Sequence, residues 1–165
     1  MTSQPRTRRL ARLLRNRLAF GLWTWRRLPL AAFAGLRVVS LDEDRAIVLL
    51  PGGWRTRNPF RSAYFAAQAM AAELSTGAPL LVHVEAARAS LSTLVTRVEG
   101  SFARKLEGAG RFACEDVPAM GRLVSRVAEA GGAETFVARS VGRDVRGEVV
   151  SEWAITWSVK RREEP

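Results

Sequence analysis

Glu73 is the carboxylic acid of this sequence whose neighbours favour acid–base chemistry. It is the only acidic residue between Asp44 and Glu85, and alanines and a leucine lie next to it in the chain. Apolar surroundings raise the pKa of a carboxyl group and prepare it to exchange a proton near neutral pH. We therefore expect Glu73 to be a general base or a nucleophile. The competing interpretation is a carboxylate near a helix C-terminus that faces solvent or pairs with a neighbouring arginine.

The other chemically active side chains argue against several kinds of site. His83 is the only histidine and Cys114 is the only cysteine. A lone histidine without acidic residues at ligand spacing gives little support for a metal site, and one cysteine excludes an intramolecular disulfide. No Gly-x-Ser-x-Gly segment occurs, which argues against a serine hydrolase of that kind. We expect no metal and no cofactor, and we expect His83 at the surface or in an interface.

Positive charge is concentrated at the start of the chain. The 165 residues carry a formal net charge of +10, from 26 lysines and arginines and 16 acids. Residues 1–27 contain eight arginines and no acid, which leaves 18 basic against 16 acidic residues in the rest. Leucines and tryptophans recur at three- and four-residue steps between these arginines and predict an amphipathic helix that ends near Pro29. We divide the chain into a basic helical arm, residues 1–30, and a nearly neutral domain, residues 31–165.

The basic arm has two interpretations of equal weight. It could adhere to an anionic membrane surface with Phe20, Trp23 and Trp25 as interfacial anchors, or pack on its own domain with its arginines in solvent. An acid-free, arginine-rich start is also typical of organelle transit peptides. Nucleic acid is not an expected partner because no recognition motif accompanies the charge, and no apolar run is long enough to span a bilayer. We expect a cytoplasmic protein, either free or peripheral to a membrane.

The chain after the arm alternates between extended and helical patterns. Hydrophobic alternation and turn residues predict six strands and three helical pieces. The strands are expected over residues 36–41, 45–50, 93–104, 110–115, 135–141 and 148–160, and the helices over residues 58–77, 79–89 and 118–130. An alanine stripe on the first of these helices would let it lie close to a sheet. This order predicts an α+β fold in which a curved antiparallel sheet wraps around one long central helix, with the arm as an extra N-terminal helix.

The segment from Asn58 to Glu73 carries a family resemblance. Asn58 and the acid fifteen positions later match a motif in which a glycine and a His-Gly-Gly run normally lie between the two. Here Arg61 replaces the glycine of the motif and Tyr64 replaces its histidine. Phe65 and the alanine after it replace the two glycines that follow. Each of these departures narrows the space near the start of the helix.

Two later segments extend this resemblance along the chain. Residues 102–105 are similar to a Phe-x-Arg-Pro strand ending, and residues 144–150 are similar to a final hairpin before a last strand. With these segments the chain resembles the hotdog-fold acyl-CoA thioesterase superfamily. Within it, the similarity is to the PaaI-like enzymes and to a divergent, uncharacterised hotdog group.

The resemblance implies a role for each matched residue. Glu73 would activate a water or attack the thioester directly, and the backbone N–H of Phe65 would hold the developing oxyanion, with Asn58 beside it. Thr93 or Thr96, on the following strand, would orient the water. Capping of the helix start is the alternative role for Asn58, and the two roles are compatible.

Phe65 and Glu73 are too far apart on one helix to act on the same carbonyl group. Eight residues at 1.5 Å each separate them by roughly 12 Å. A working site therefore pairs the helix start of one copy with Glu73 of another, which predicts a homodimer or a tetramer with the site between subunits.

Substrate binding is expected to involve the residues that surround the helix start. Arg61 and Tyr64 would line the entrance, and Arg61 could hold a phosphate or carboxylate of the ligand. Four further cations are candidates for the phosphates of coenzyme A, namely Arg55, Arg57, Arg104 and Lys105. Solvated surface cations are the simpler interpretation of each of them.

The sequence thus favours hydrolysis of acyl thioesters of coenzyme A or of acyl-carrier protein. The alternative is a catalytically impaired hotdog protein that binds acyl thioesters or a protein partner and reaches a membrane through its arm. Turnover that is lost with the Glu73 carboxylate would favour the enzyme, and binding without turnover would favour the alternative.

Overall fold

The computed structural model describes residues 17–87 and 89–162. Part of the predicted arm lies outside the described residues, including Leu10, Leu13, Leu14 and five of its eight arginines, as does the side chain of Phe20. The predicted order of strands and helices after the arm is confirmed. The helices are α1 (Arg17–Arg27), α2 (Pro29–Ala34), α3 (Phe65–Ala86) and α4 (Val117–Ala130). The strands are β1 (Arg37–Leu41), β2 (Ala46–Leu50), β3 (Leu91–Phe102), β4 (Gly110–Cys114), β5 (Ala133–Arg143) and β6 (Val149–Arg161).

The six described strands form one antiparallel sheet in the order β1-β2-β4-β5-β6-β3. The sheet curves around α3, which packs mainly on β2, β4 and β5. Helix α4 packs against α3 and against β5 and β6. The predicted α+β arrangement around one long central helix is therefore confirmed. Strand β3 lies at an edge of the sheet, beyond the strands on which α3 mainly packs.

Small side chains and buried polar bonds fix α3 on the sheet. The buried alanines of one face allow the helix backbone to approach the strands closely, and they are Ala67, Ala71, Ala72 and Ala78. The indole Nε1 of Trp157 donates to Thr76 Oγ1 at 3.0 Å, and Ser75 Oγ donates to Ser140 Oγ at 2.8 Å. Such bonds satisfy polar groups that would otherwise be costly to bury, and they set the position of the helix along β5 and β6.

The central helix has different ends from those predicted. It begins at Phe65 instead of at Asn58, and it continues through Gly77 and Pro79 to Ala86, so that two predicted helical pieces are one. A proline inside a helix removes one backbone hydrogen bond and crowds the preceding turn. Burial of this turn against the rest of the fold offsets that cost, since Pro79 and both of its neighbours are buried.

The described part of the arm helix ends close to Pro29, as predicted, and a second short helix that was not predicted begins at that proline. Helix α1 ends at Arg27, and α2 follows after a single residue and ends at Ala34. The next residue, Gly35, has a φ of 76°, the left-handed conformation that glycine adopts readily. The predicted boundary at residue 30 thus falls inside α2. Thr24 is buried and Trp23 is half-buried, so one face of α1 packs on the domain. No described helix is long and apolar enough to cross a membrane.

Candidate active site

The Glu73 side chain is half-buried beside Trp157 and makes no hydrogen bond or ion pair with any of the described residues. Burial raises the pKa of its carboxyl group, because the charged form loses hydration. Because Glu73 forms no ion pair within residues 17–87 and 89–162, the arginine pairing that we considered is excluded for this part of the chain. A carboxylate held in this way is suited to accept a proton.

Glu73 opens into a cavity of about 210 Å³. Helix α3 supplies most of the wall, β3 and β6 supply one residue each, and the arm supplies two. Its lining residues are Trp23, Leu28, Glu73, Leu74, Gly77, Ala78, Leu80, Leu81, Val84, Thr93 and Trp157. Except for Glu73 and the hydroxyl of Thr93, the wall is formed mainly by apolar side chains, so the cavity presents one carboxyl group to an apolar space.

The two candidate threonines occupy different positions relative to Glu73. Thr93 pairs with the buried Val159 and lines the cavity, as expected for a residue near the carboxyl group. Thr96 lies at an irregularity of the β3–β6 pairing and donates its hydroxyl to Thr156 O at 3.3 Å. Thr96 does not line this cavity. Of the two threonines, Thr93 therefore shares a cavity with the Glu73 carboxyl group.

The start of α3 offers backbone donors. Tyr64 precedes the helix with an extended backbone and Phe65 is its first residue. The N–H groups of Phe65 and Ala66 have no hydrogen-bond partner among the described residues, whereas those of Ala67 and Gln68 bond to Tyr64 O. Unpaired N–H groups at the positive end of a helix attract negative charge. This geometry fits the role in oxyanion binding that we expect for Phe65.

Asn58 shapes the loop before α3 instead of capping the helix. Its Oδ1 accepts hydrogen bonds from Phe60 N at 2.9 Å and from Ser62 N at 3.2 Å, and its Nδ2 donates to Ser62 Oγ at 3.2 Å. Its backbone N–H also donates to Ser62 O. The second amide hydrogen of Asn58 has no partner within residues 17–87 and 89–162. The expected capping role is thus replaced by a local turn, because the helix begins seven residues later.

Arg61 lies in this turn with a φ of 65°. The left-handed conformation costs roughly 1–2 kcal/mol for a residue with a Cβ atom, whereas glycine adopts it readily. This position is where the family motif has a glycine, and the backbone geometry gives the physical reason. Arg61 and Tyr64 are both exposed, and the Tyr64 ring packs edge-on against Phe65 at 4.9 Å between centroids.

The candidate phosphate-binding cations are exposed and lie on two loops that contact each other. The backbone N–H of Ala63 donates to Leu106 O at 2.8 Å, which joins the loop before α3 to the loop after β3. The cations on these loops are Arg55, Arg57, Arg61, Arg104 and Lys105. Arg104 also forms a surface salt bridge with Glu148 at 3.2 Å. An exposed pair of this kind contributes about 1 kcal/mol at most, so a phosphate could replace it.

The sequence indicated only Glu73 and Thr93 among the residues of the cavity wall. Of the others, Trp23 and Leu28 belong to the arm, for which packing on the domain was one of two interpretations, and Gly77 was expected to end the helix. The position of Gly77 four residues after Glu73 was the available signal, because such residues lie on one helix face. His83, in contrast, packs between helices, with Nε2 at 3.2 Å from Val117 O, and the described residues contain no cluster that could hold a metal.

Solved structures with the same architecture are known, although no family model and no curated protein matches this sequence. A probable thioesterase of unknown function from Pseudomonas aeruginosa is 22% identical, with a TM-score of 0.68 over 94% of this chain and 96% of that one. A protein of unknown function from Chlorobaculum tepidum is 14% identical, with a TM-score of 0.75 over 94% of each chain.

A thioesterase from Haemophilus influenzae is 13% identical, with a TM-score of 0.66 over 90% of this chain and 93% of that one. At these identities the likeness concerns the arrangement of the backbone. The backbones of these proteins and of this chain align over at least 90% of each chain. The protein therefore has the hotdog fold, in common with these thioesterases.

Proposed function

We propose that the protein is a thioesterase that hydrolyses acyl thioesters of coenzyme A or of acyl-carrier protein at a site shared by two copies of the chain. The observation that carries the proposal is Glu73, a carboxyl group of raised pKa that faces an apolar cavity without a partner among the described residues. The thioesterases with similar structures support the same reaction class.

In this reaction Glu73 acts on a water that Thr93 orients. The carboxylate takes a proton from the water while the water oxygen attacks the carbonyl carbon. The carbonyl oxygen then becomes negatively charged. The Phe65 N–H and the Asn58 amide stabilise this oxyanion. When the carbon–sulfur bond breaks, the proton held by Glu73 neutralises the thiolate that leaves. Direct attack by Glu73 would give an acyl-enzyme anhydride, which water then hydrolyses.

The shared site rests on the length of α3 and on the exposure of β3. Phe65 and Glu73 lie eight residues apart on one continuous helix, which corresponds to roughly 12 Å. Strand β3 is a twelve-residue edge strand with exposed apolar side chains, among them Val98 and Phe102. A long exposed edge is a template for pairing with another strand. Pairing of two β3 strands would bring two helices together, and a tetramer requires a second interface beyond it.

The lining of the cavity favours an acyl chain as the group bound near Glu73. Leu74, Leu81 and Val84 from α3 and Leu28 from the arm provide apolar contacts beside the carboxyl group. The nucleotide end of coenzyme A would then extend towards the exposed cations of the two joined loops, where arginine can hold phosphate through two parallel hydrogen bonds. A carrier protein would present its phosphopantetheine arm to the same site.

Release of free thiol from a series of acyl-CoA esters tests this proposal. The Glu73→Gln variant should lose at least two orders of magnitude in kcat, because general-base catalysis contributes about that much or more. Glu85→Gln is the matched control, since Glu85 lies on the same helix and is exposed. Equal turnover by the wild type and the folded Glu73→Gln protein would contradict the assignment.

A second candidate function is supported by the residues at the helix start. Arg61, Tyr64 and Phe65 are larger than the residues of the family motif, and Arg61 keeps a costly backbone conformation. A hotdog protein altered in this way could bind acyl thioesters or a protein partner without hydrolysing them. Calorimetric titration with acyl-CoA that gives saturable binding and no thiol release would favour this alternative.

A further inference from the structure

The arm exposes an apolar surface that the proposed reaction does not use. Each of its two helices presents a pair of large apolar residues three positions apart, and residues at this spacing lie on one face. We call these residues, together with a tryptophan that packs on Phe33, the arm face: Leu22 (67% exposed), Trp25 (58%), Leu30 (66%), Phe33 (43%) and Trp54 (74%). Five large apolar side chains this exposed, on two helices joined by a single residue and on the loop that packs on the second of them, indicate an interaction surface.

The arm face is held in place by the domain. Thr24 is buried and Trp23 lines the Glu73 cavity, so the opposite side of α1 carries Leu22 and Trp25 outward. Phe33 packs edge-on against Trp54, with 5.8 Å between ring centroids, which joins α2 to the loop after β2. The exposed aromatic groups are therefore positioned by the fold.

Positive charge lies at the ends of the two helices that carry this apolar surface. Arg26 and Arg27 are exposed at the end of α1 and form no salt bridge within residues 17–87 and 89–162. Arg55 lies near the end of α2, where its guanidinium is 3.8 Å from the site of a Cβ atom on Gly35. The sequence of residues 1–27 adds further arginines and contains no acid.

We infer that the arm face docks the protein on an anionic lipid bilayer. Tryptophan, phenylalanine and leucine beside arginine are the side chains that lie at the boundary between headgroups and acyl chains, where apolar groups leave water and cations meet phosphate. A nucleic acid would use the charge alone and leave the leucines in water. A second copy of the chain would bring the arginines of two arms together. This inference does not depend on the hydrolytic activity.

Sedimentation of the full-length protein with vesicles tests the inference. The protein should bind vesicles of phosphatidylcholine mixed with phosphatidylglycerol and should bind pure phosphatidylcholine much more weakly. Removing two arginines by Arg26→Gln with Arg27→Gln should lower the partition coefficient by about 25-fold, at roughly fivefold for each charge. Replacing Trp25 and Phe33 together by serine should lower it by at least tenfold.

Matched variants distinguish binding through the arm face from nonspecific binding by other exposed apolar or charged side chains. Val145→Ser removes an exposed apolar side chain elsewhere, and Arg122→Gln with Arg146→Gln removes two other exposed charges. Both should bind as the wild type does, and thermal unfolding should show that all variants are folded. No binding to either vesicle, equal binding to both, or undiminished binding by the arm-face variants would overturn the inference. A serine variant that binds weakly because it has become monomeric would also overturn it, since the face would then join two copies.

Discussion

The carboxyl group of Glu73 lies over Gly77, one turn further along the central helix. A methyl group on Gly77 would lie 3.0 Å from Glu73 Oε1 and 3.2 Å from Cζ2 of Trp157. Contacts this short require the neighbouring atoms to move. The glycine thus leaves room for the carboxyl group between the helix and the β6 indole, and it explains why a residue that weakens helices lies in the middle of this one.

The Gly77→Ala substitution should reduce turnover without unfolding the protein. Alanine favours the helix by about 1 kcal/mol over glycine, and this gain offsets part of the crowding. We expect kcat for thioester hydrolysis to fall at least tenfold, because Glu73 or Trp157 must shift. Gly21→Ala is the control, since Gly21 also lies in a helix, α1, and a methyl group on it would have no atom within 4 Å. If Gly77→Ala keeps full activity, the position of the Glu73 carboxyl group is not important for turnover.

Turnover should depend on the ionisation of Glu73, and this ionisation should occur at a pH above 4.5, the usual pKa of a glutamate carboxyl group. Burial raises the pKa of this carboxyl group above the usual 4.5, and no other titratable residue lines its cavity within the described part of the chain. A general base acts only when it is deprotonated. The value of kcat should therefore rise with pH through the raised pKa and level off above it. A profile with its inflection at or below 4.5 would argue against a buried base.

The same raised pKa of Glu73 should affect the stability of the protein. The free energy of unfolding should fall as the pH rises, whereas kcat should increase. A carboxyl group whose pKa is higher in the folded state holds its proton more tightly there than in the unfolded chain. Its favourable contribution is present at a pH below the unfolded value of about 4.5 and is lost as the pH rises through the folded pKa. The free energy of unfolding of the wild type, relative to Glu73→Gln, should therefore fall across this interval and then stay constant. Urea denaturation of both proteins at a series of pH values measures it.

Replacing Arg61 by glycine should stabilise the protein. Glycine removes the cost of a φ of 65°, roughly 1–2 kcal/mol. It also increases the conformational entropy of the unfolded chain, which destabilises the folded protein by about 0.4–1 kcal/mol. We expect a net gain of about 0.5–1 kcal/mol in the free energy of unfolding. Arg61→Ala removes the same guanidinium but keeps the strained backbone, and it should change the stability little. Equal stability of the two variants would mean that the turn relaxes around the arginine.

The order of elements could be predicted from the sequence because the signals were local. Alternating apolar residues around the acidic turn after β1 predicted its hairpin with β2, and the bounds agree within one residue. The ends of α3 could not be predicted in this way. Gly77 and Pro79 are local signals for the end of a helix, yet burial against the sheet, which depends on residues far along the chain, keeps this helix continuous.

Motif spacing in the sequence singled out Glu73, and the structure places it with Thr93 at one cavity, but the roles of both residues stay predictions. The contribution of the arm could not be predicted in the same way. Packing of the arm helix on the domain was one of two interpretations of its pattern, and nothing in residues 1–30 indicates that Trp23 and Leu28 line this cavity. The turn at Asn58 likewise depends on its hydrogen bonds to Ser62, which compete with helix capping.

The shared site predicts that two inactive variants restore each other. Phe65→Pro removes the backbone N–H at the first position of α3, where proline fits a helix, and the extended backbone of Tyr64 tolerates a following proline. Phe65→Ala is its control, because it keeps the N–H and removes only the side chain. Each of Phe65→Pro and Glu73→Gln alone should be nearly inactive.

In a mixed dimer of these two variants, one site combines the intact helix start of the Glu73→Gln chain with the intact Glu73 of the other chain, and the second site carries both defects. Random exchange of subunits makes half of the dimers mixed, so the mixture should recover about a quarter of wild-type activity. Thiol release after unfolding and refolding the variants together measures this recovery, and the separately refolded proteins supply the baseline. Because a site confined to one chain would be defective in every subunit, the absence of recovery in a mixture that has formed mixed dimers would refute the shared site.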